Sequence, residues 1–130
     1  MKIPESAIEN RGYFTWMGED GIARTCVKEN AEITLELAKE NTESVNTLYQ
    51  GKKFPILIDS RGIKSMSRDA REHFSTKGRD PKTNAFGIII GSPISRVLGN
   101  FYLGINKPSV PTKLFNTEEE ALDWLKQFVL

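Results

Sequence analysis

The sequence predicts a single α/β domain on a mixed, mostly parallel sheet with an N-terminal hairpin. Three observations carry this expectation. Short apolar runs bounded by turn residues stand at Phe54–Asp59 and Phe86–Ile90, segments at helical spacing lie between and after them, and two runs rich in aromatic and β-branched residues open the chain. Buried strands that alternate with helices pair in parallel through crossovers, whereas the opening pair is antiparallel. A chain of 130 residues suits one domain, assigned to residues 12–130, with residues 1–11 as an N-terminal extension.

Gly12–Met17 (GYFTWM) and Ile22–Val27 (IARTCV) read as the hairpin strands, and Gly18-Glu19-Asp20-Gly21 as their loop. Thr34 can cap the first helix. Ile33 and Ala38 occupy its staple positions, Ala38, Asn41, Val45 and Leu48 line one face, and Gly51 ends it. Phe54–Asp59 (FPILID) is expected to be buried on both faces, with Pro55 near the start, where a donor is dispensable. A short helix is expected from Ser67 to about Lys77 with Ala70 and Phe74 inward, then a loop from Gly78 to Asn84. Phe86–Ile90 is the second buried strand, and Pro93–Ile105 a helix with Ile94, Val97, Leu98, Phe101 and Ile105 at helical spacing. Thr112–Phe115 is a short strand. Thr117 caps a last helix, where Glu120 completes a capping box and Glu118, Glu119 and Glu120 suit the positive end of the dipole. Ala121, Leu122, Trp124, Leu125 and Phe128 form its apolar face. The order is therefore β-β-α-β-α-β-α-β-α.

Lys and Arg number 18 against 17 Asp and Glu, a net charge of +1, so the chain as a whole has no electrostatic pull towards nucleic acid. Its bases are also not interleaved with aromatics, and no nucleic-acid partner is expected. One cysteine, Cys26, allows no internal disulfide, and reads as a small apolar residue of a strand. A single His with a single Cys gives no His/Cys zinc set, so neither metal nor cofactor is expected. The start MKIPESAIEN lacks the apolar core of a signal peptide, and no run is long enough to span a bilayer. The expectation is a soluble, cytoplasmic protein without integral membrane contact.

Three junctions follow one another along the chain. Ile56-Leu57-Ile58-Asp59-Ser60 leads into Arg61–Ala70 (RGIKSMSRDA). Gly91-Ser92-Pro93 leads into Ile94-Ser95-Arg96-Val97-Leu98, and Phe115-Asn116-Thr117 into Glu118-Glu119-Glu120-Ala121-Leu122. In this order and near this spacing the chain resembles the STAS family, the fold of bacterial anti-sigma factor antagonists, from about Gly12 to Leu130. The resemblance implies a non-enzymatic module that works by protein–protein contact in bacterial signalling. In the antagonists a serine at the start of the second helix is the phosphorylated switch. Here Arg68 stands at that position and Ser67 at that of the preceding aspartate. The departure points to a divergent branch, near bacterial STAS-like proteins grouped by fold with lipid-binding CRAL-TRIO domains.

The residues themselves add candidate sites. Ser92 suits an N-cap, Pro93 the first helical position, and Gly91 the sharp turn before them. Free N–H groups at a helix start also favour anions, and ligands of open α/β sheets gather at the carboxyl ends of strands. Asp59, Gly91, Ser92, Arg96 and Phe101 therefore form a candidate site for an anionic or amphiphilic small molecule. The glycine run and lysine of a P-loop are missing, which argues against nucleotide hydrolysis.

Between Arg61 and Lys82 seven bases stand against three acids, a net +4, whereas Glu29 to Glu43 holds five acids and one lysine, a net −4. A solvated face accounts for such runs. The sharper alternative is a basic docking patch of Ser60, Arg61, Lys64, Ser67, Arg68 and Arg71 for an acidic protein partner, or for an acidic helix of a second copy. Ser67 is an N-cap and, beside Arg68 and Arg71, also a candidate phosphosite. His73 lies on a helix flank with no Ser or Cys nucleophile matched to it, and no tuned carboxylate pair stands out, so no catalytic residue is expected. Apolar bulk at Phe101–Ile105 and Trp124–Val129 exceeds one helical stripe. Core packing explains most of it, with an apolar-ligand groove or a homodimer interface as the alternatives. The sequence thus ranks a protein-interaction module first and a small-molecule or lipid carrier second.

Overall fold

The structure, a computed structural model, describes residues 1–74, 82–98 and 110–130. Chain order gives β1 Ile8–Glu9, β2 Tyr13–Met17, β3 Ala23–Val27, β4 Ala31–Ile33, α1 Leu35–Tyr49, β5 Phe54–Asp59, β6 Ile63–Met66 and α2 Arg68–Glu72. Then come β7 Thr83–Ile89, helix α3 over residues 93–98, β8 Thr112–Phe115 and α4 Glu118–Leu125, which tightens into a 3-10 turn at Lys126–Phe128. The parts of the expected elements that fall on residues 75–81 and 99–109, including Lys77, Phe101 and Ile105, lie outside the described residues.

Six strands form one sheet in the order β1-β2-β3-β5-β7-β8. The first three pair antiparallel and the last four pair in parallel. Because side chains alternate across a strand, register sorts them into rows. Ala23, Ile56 and Phe86 share one row, and their face is covered by Val45 and Tyr49 of α1. Toward the other end of this face, Tyr13 and Val27 join Ile33, Ala38, Ile63 and Ala70, with Leu98 of α3 packed against them. Ile22, Leu57, Ala85, Ile89 and Phe115 line the opposite face beneath Ala121 and Leu125 of α4. Gly87 lets that helix approach, since a Cβ there would stand 2.9 Å from Leu125 Cδ1. Full burial of a Leu such as Leu125 is worth about 2–3 kcal/mol. Central placement, with helices on both faces, is why β5 and β7 read as continuous apolar runs.

Among the described residues the buried side-chain polar atoms are paired, except Asn84 Oδ1. Asn41 Oδ1 accepts from Thr25 Oγ1 at 2.7 Å and from Thr15 Oγ1 at 2.9 Å, and the two hydroxyls lie 2.8 Å apart. Two hydroxyl protons cannot serve all three contacts, so when both point at Asn41 the Thr–Thr contact carries none. Tyr49 and Thr83 share a hydroxyl–hydroxyl bond of 2.7 Å that ties the end of α1 to the start of β7.

Four differences from the sequence expectation stand out. β4 and β6 form a separate two-stranded parallel sheet, and β1 pairs with β2; all three are too short to show alternation. β7 begins at Thr83 rather than Phe86, because Phe54 and Pro55 pair with Thr83 and Ala85. Gly91 does not adopt a positive φ, so the turn alone does not require glycine there. Finally, α3 turns Ser95 inward, leaving Ile94 46% and Val97 65% exposed.

Candidate functional site

Parallel strands β3, β5, β7 and β8 end on one rim, with Cys26, Asp59 and Ile89 in register. At the end of β5 the chain is stapled to β7: the N–H and the hydroxyl of Ser60 both donate to the Ile89 carbonyl, at 3.1 and 2.7 Å. The Asp59 and Gly91 corners thus sit side by side, as the sequence expectation required.

Asp59 is the buried anchor of this rim. Its side chain is 6% exposed and that of Arg61 41%. Arg61 turns back over it, donating its backbone N–H to Oδ1 at 3.1 Å, Nε to Oδ1 at 2.9 Å and Nη2 to Oδ2 at 2.7 Å, a two-pronged grip on the carboxylate. Burial pushes the carboxyl up, but the hydrogen bonds and charge of Arg61 outweigh it and hold the group below its ordinary value. Cys26 Sγ lies 4.0 Å from Asp59 Oδ2, and burial together with that charge pushes the thiol up, away from reactive thiolate. The stem of Arg61 crosses Gly91: a Cβ on Gly91 would stand 2.8 Å from Arg61 Cγ. Glycine is therefore needed here for the passage of a neighbouring side chain.

The Gly91-Ser92-Pro93 corner is closed on itself. Ser92 Oγ accepts the N–H of Ser95 at 3.0 Å. Ser95 Oγ accepts the N–H groups of Gly91 and Ser92, each at 3.0 Å, and donates to the Ser92 carbonyl at 3.1 Å. This is a capping box with serine at both ends. An anion at this corner would have to displace Ser95 Oγ. Sequence reasoning passed over Ser95; its signal was the three-residue spacing from Ser92.

The expected docking residues follow in space. Lys64 is exposed on β6, and Arg68 is exposed at the start of α2, with Nε 3.4 Å from Glu72 Oε1. Ser67 Oγ accepts the Ala70 N–H at 3.3 Å and donates to Asp69, whose carboxyl the hydroxyl holds below its ordinary value. Arg71 is half-buried and gives Nη1 to the Met66 carbonyl at 2.8 Å, so it supports the turn between β6 and α2. Arg96 is exposed on α3, whereas Phe101 lies outside the described residues. His73 Nε2 lies 2.9 Å from Thr42 Oγ1, whose own proton goes to the Ala38 carbonyl. The ring nitrogen is therefore the donor, tying α2 to α1; burial and the nearby Lys39 hold this imidazole below its ordinary value. Among the described residues no group of three or more His, Cys, Asp or Glu side chains could hold a metal ion, and no helix is long and apolar enough to cross a membrane.

Residues 15–129 match a family described as Domain of unknown function (DUF7793). The chain belongs to that family. No curated protein matches it. Solved structures show what the DUF7793 chain is similar to. One is an uncharacterized protein of the DUF3478 family with a SpoIIAA-like fold from Shewanella loihica, at TM-score 0.65 and 16% identity over 91% of this chain and 98% of that one. Another is an anti-sigma factor antagonist from Mycobacterium paratuberculosis, at TM-score 0.62 and 17% identity over 97% of this chain and 99% of that one. The DUF7793 chain therefore has a STAS-like fold, a single α/β domain with a mixed, mostly parallel sheet.

Proposed function

We propose that this chain is a non-enzymatic protein-interaction module of bacterial regulation, working in the cytoplasm, and that it docks an acidic partner on the face formed by β6, α2 and the adjoining rim. The observation that carries this reading is the pair Lys64 and Arg68, both exposed on consecutive elements directly after the Asp59–Arg61 anchor. An exposed Arg68–Glu72 contact on one helix is worth only about 0.3–0.5 kcal/mol, so a partner's carboxylate could replace it at little loss. Polar groups at the carboxyl ends of the strands bond one another, which favours docking over capture of a small ligand. Hydrogen bonding of His73 to a structural threonine supports a non-catalytic role, and the likeness in fold to an anti-sigma factor antagonist supports a protein partner. Affinity capture from an extract of the source cells, with Lys64→Glu/Arg68→Glu beside the unaltered chain, tests this. The reading expects a co-purifying protein that the folded double variant loses. Equal capture by both, or no captured protein at all, contradicts it.

A further inference from the structure

α3 exposes apolar surface to solvent. Ile94 and Val97, one turn apart, are 46% and 65% exposed, with exposed Pro93 beside them. The other large apolar side chains so exposed among the described residues are Val129 and Leu130, at the last two positions. The rotation of α3 has a local cause. Ser95 Oγ is held by the N–H groups of Gly91 and Ser92, and residues three apart share a helix face. Ser95 and Leu98 therefore face inward, Leu98 against the cluster that contains Ile63 of β6 and Ala70 of α2. Ile94 and Val97 are left on the outer side.

A base accompanies this apolar pair. Arg96 lies between its members in sequence, is exposed, and has no ion-pair partner among the described residues; Lys64 on β6 has none either. Leu98 packs against the cluster that contains Ile63 and Ala70, and the Arg61 stem crosses Gly91, so α3 adjoins β6 and α2, where Lys64 and Arg68 are exposed along with Asp69 and Glu72. Two side chains cover only a small part of the about 800 Å² that each partner buries in a stable complex. The pair is therefore an anchor, and whatever seats on it extends over the neighbouring bases, which selects for negative charge.

From this juxtaposition we infer that α3 anchors an acidic amphipathic helix of a protein partner. Its apolar stripe meets Ile94 and Val97, and its carboxylates meet Arg96 and the Lys64–Arg68 flank. The inference rests on the interaction-module reading and names its partner's chemistry. An apolar stripe supplies the buried contact and the acids supply orientation and encounter rate.

The test uses the full chain and a synthetic helical peptide of about four turns, with leucines on one face and glutamates elsewhere, followed by fluorescence anisotropy. Ile94→Ser/Val97→Ser and Arg96→Glu are compared, each confirmed as folded by circular dichroism. The expected result is saturable binding that weakens with salt, weakens about tenfold or more in each variant, and is absent for the same peptide with lysine in place of glutamate. Binding unchanged by both variants, equal binding of the lysine peptide, or no saturable binding overturns the inference. So does sedimentation with phosphatidylglycerol vesicles, or a concentration-dependent dimer, that Ile94→Ser/Val97→Ser abolishes while leaving the peptide unbound. A cellular partner whose capture needs Lys64 and Arg68 but not Ile94 and Val97 overturns this inference alone. Absence of any captured partner overturns the module reading itself.

Discussion

Replacing Asp59 with Asn isolates the charge that holds the rim together, because volume and one side-chain oxygen are kept. Oδ1 still accepts the Arg61 N–H and Nε, now at 3.1 and 2.9 Å. Where Oδ2 accepted Nη2 at 2.7 Å, an amide donor would face a guanidinium donor, so that arm of Arg61 must swing away. A hydrogen bond between charged groups contributes about 1.5–3 kcal/mol, and since Arg61 is 41% exposed, water recovers roughly half of it. The expected loss is about 1–1.5 kcal/mol at pH 7, or roughly 3–5 °C in Tm for a chain of this size. Urea denaturation is the assay, with Arg61→Met, which keeps the stem over Gly91, as the second arm of a double-mutant cycle; the expected coupling is about 1 kcal/mol. The sign of the pH dependence follows from the lowered pKa of Asp59. Its contribution is fully present above the unfolded value of about 3.9 and is lost as pH falls through the lower folded value. The gap between wild type and Asp59→Asn therefore narrows below about pH 4, since Asn does not titrate. Strictly additive losses, or a gap that stays constant into acid, would show that the Asp59–Arg61 charge pair does not hold this rim.

Ser95→Ala removes the acceptor of two N–H groups at a corner that water partly reaches, and should cost about 1.5–2 kcal/mol in thermal or urea unfolding; a loss under 0.5 kcal/mol would show that solvent satisfies those groups equally well. In the buried Thr15–Thr25–Asn41 cluster, Asn41→Ala strands a hydroxyl proton and should cost about 2–4 kcal/mol. Thr25→Val, which relieves the surplus contact, should cost about 1 kcal/mol by the same assay, and a reversed order would contradict the assigned bonds. Cys26 should alkylate with iodoacetamide at pH 8 more slowly than the unfolded chain, and a few-fold faster once Asp59→Asn removes the adjacent charge; identical rates in all three would contradict the raised thiol pKa.

Sequence reasoning reached the elements whose determinants are local. FPILID and TKLF coincide with β5 and β8, and Thr34, Ser67 and Thr117 all cap helices through their hydroxyls. It also placed the Asp59 and Gly91 corners on one rim, because parallel strands share a direction. It missed what depends on distant neighbours. β6 exists because β4 pairs with it, and Ile63-Lys64-Ser65-Met66 has no alternation to show this. Glycine at position 91 reflects the Arg61 side chain thirty positions earlier. Ile94 and Val97 fit a helical stripe on paper, but the Ser92–Ser95 box sets the rotation of α3 and leaves them outside. Charge balance gave the basic tract, though not that the Arg61 guanidinium is taken up by the Asp59 carboxylate and Arg71 by the Met66 carbonyl, while Lys64 and Arg68 reach solvent.

Hydrogen–deuterium exchange of the chain alone and with its co-purifying protein measures the docking face directly. New protection is expected over residues 60–72 and 91–98, with α4 and β8 unchanged. Protection confined to α4 and β8, or none with the partner bound, would contradict it.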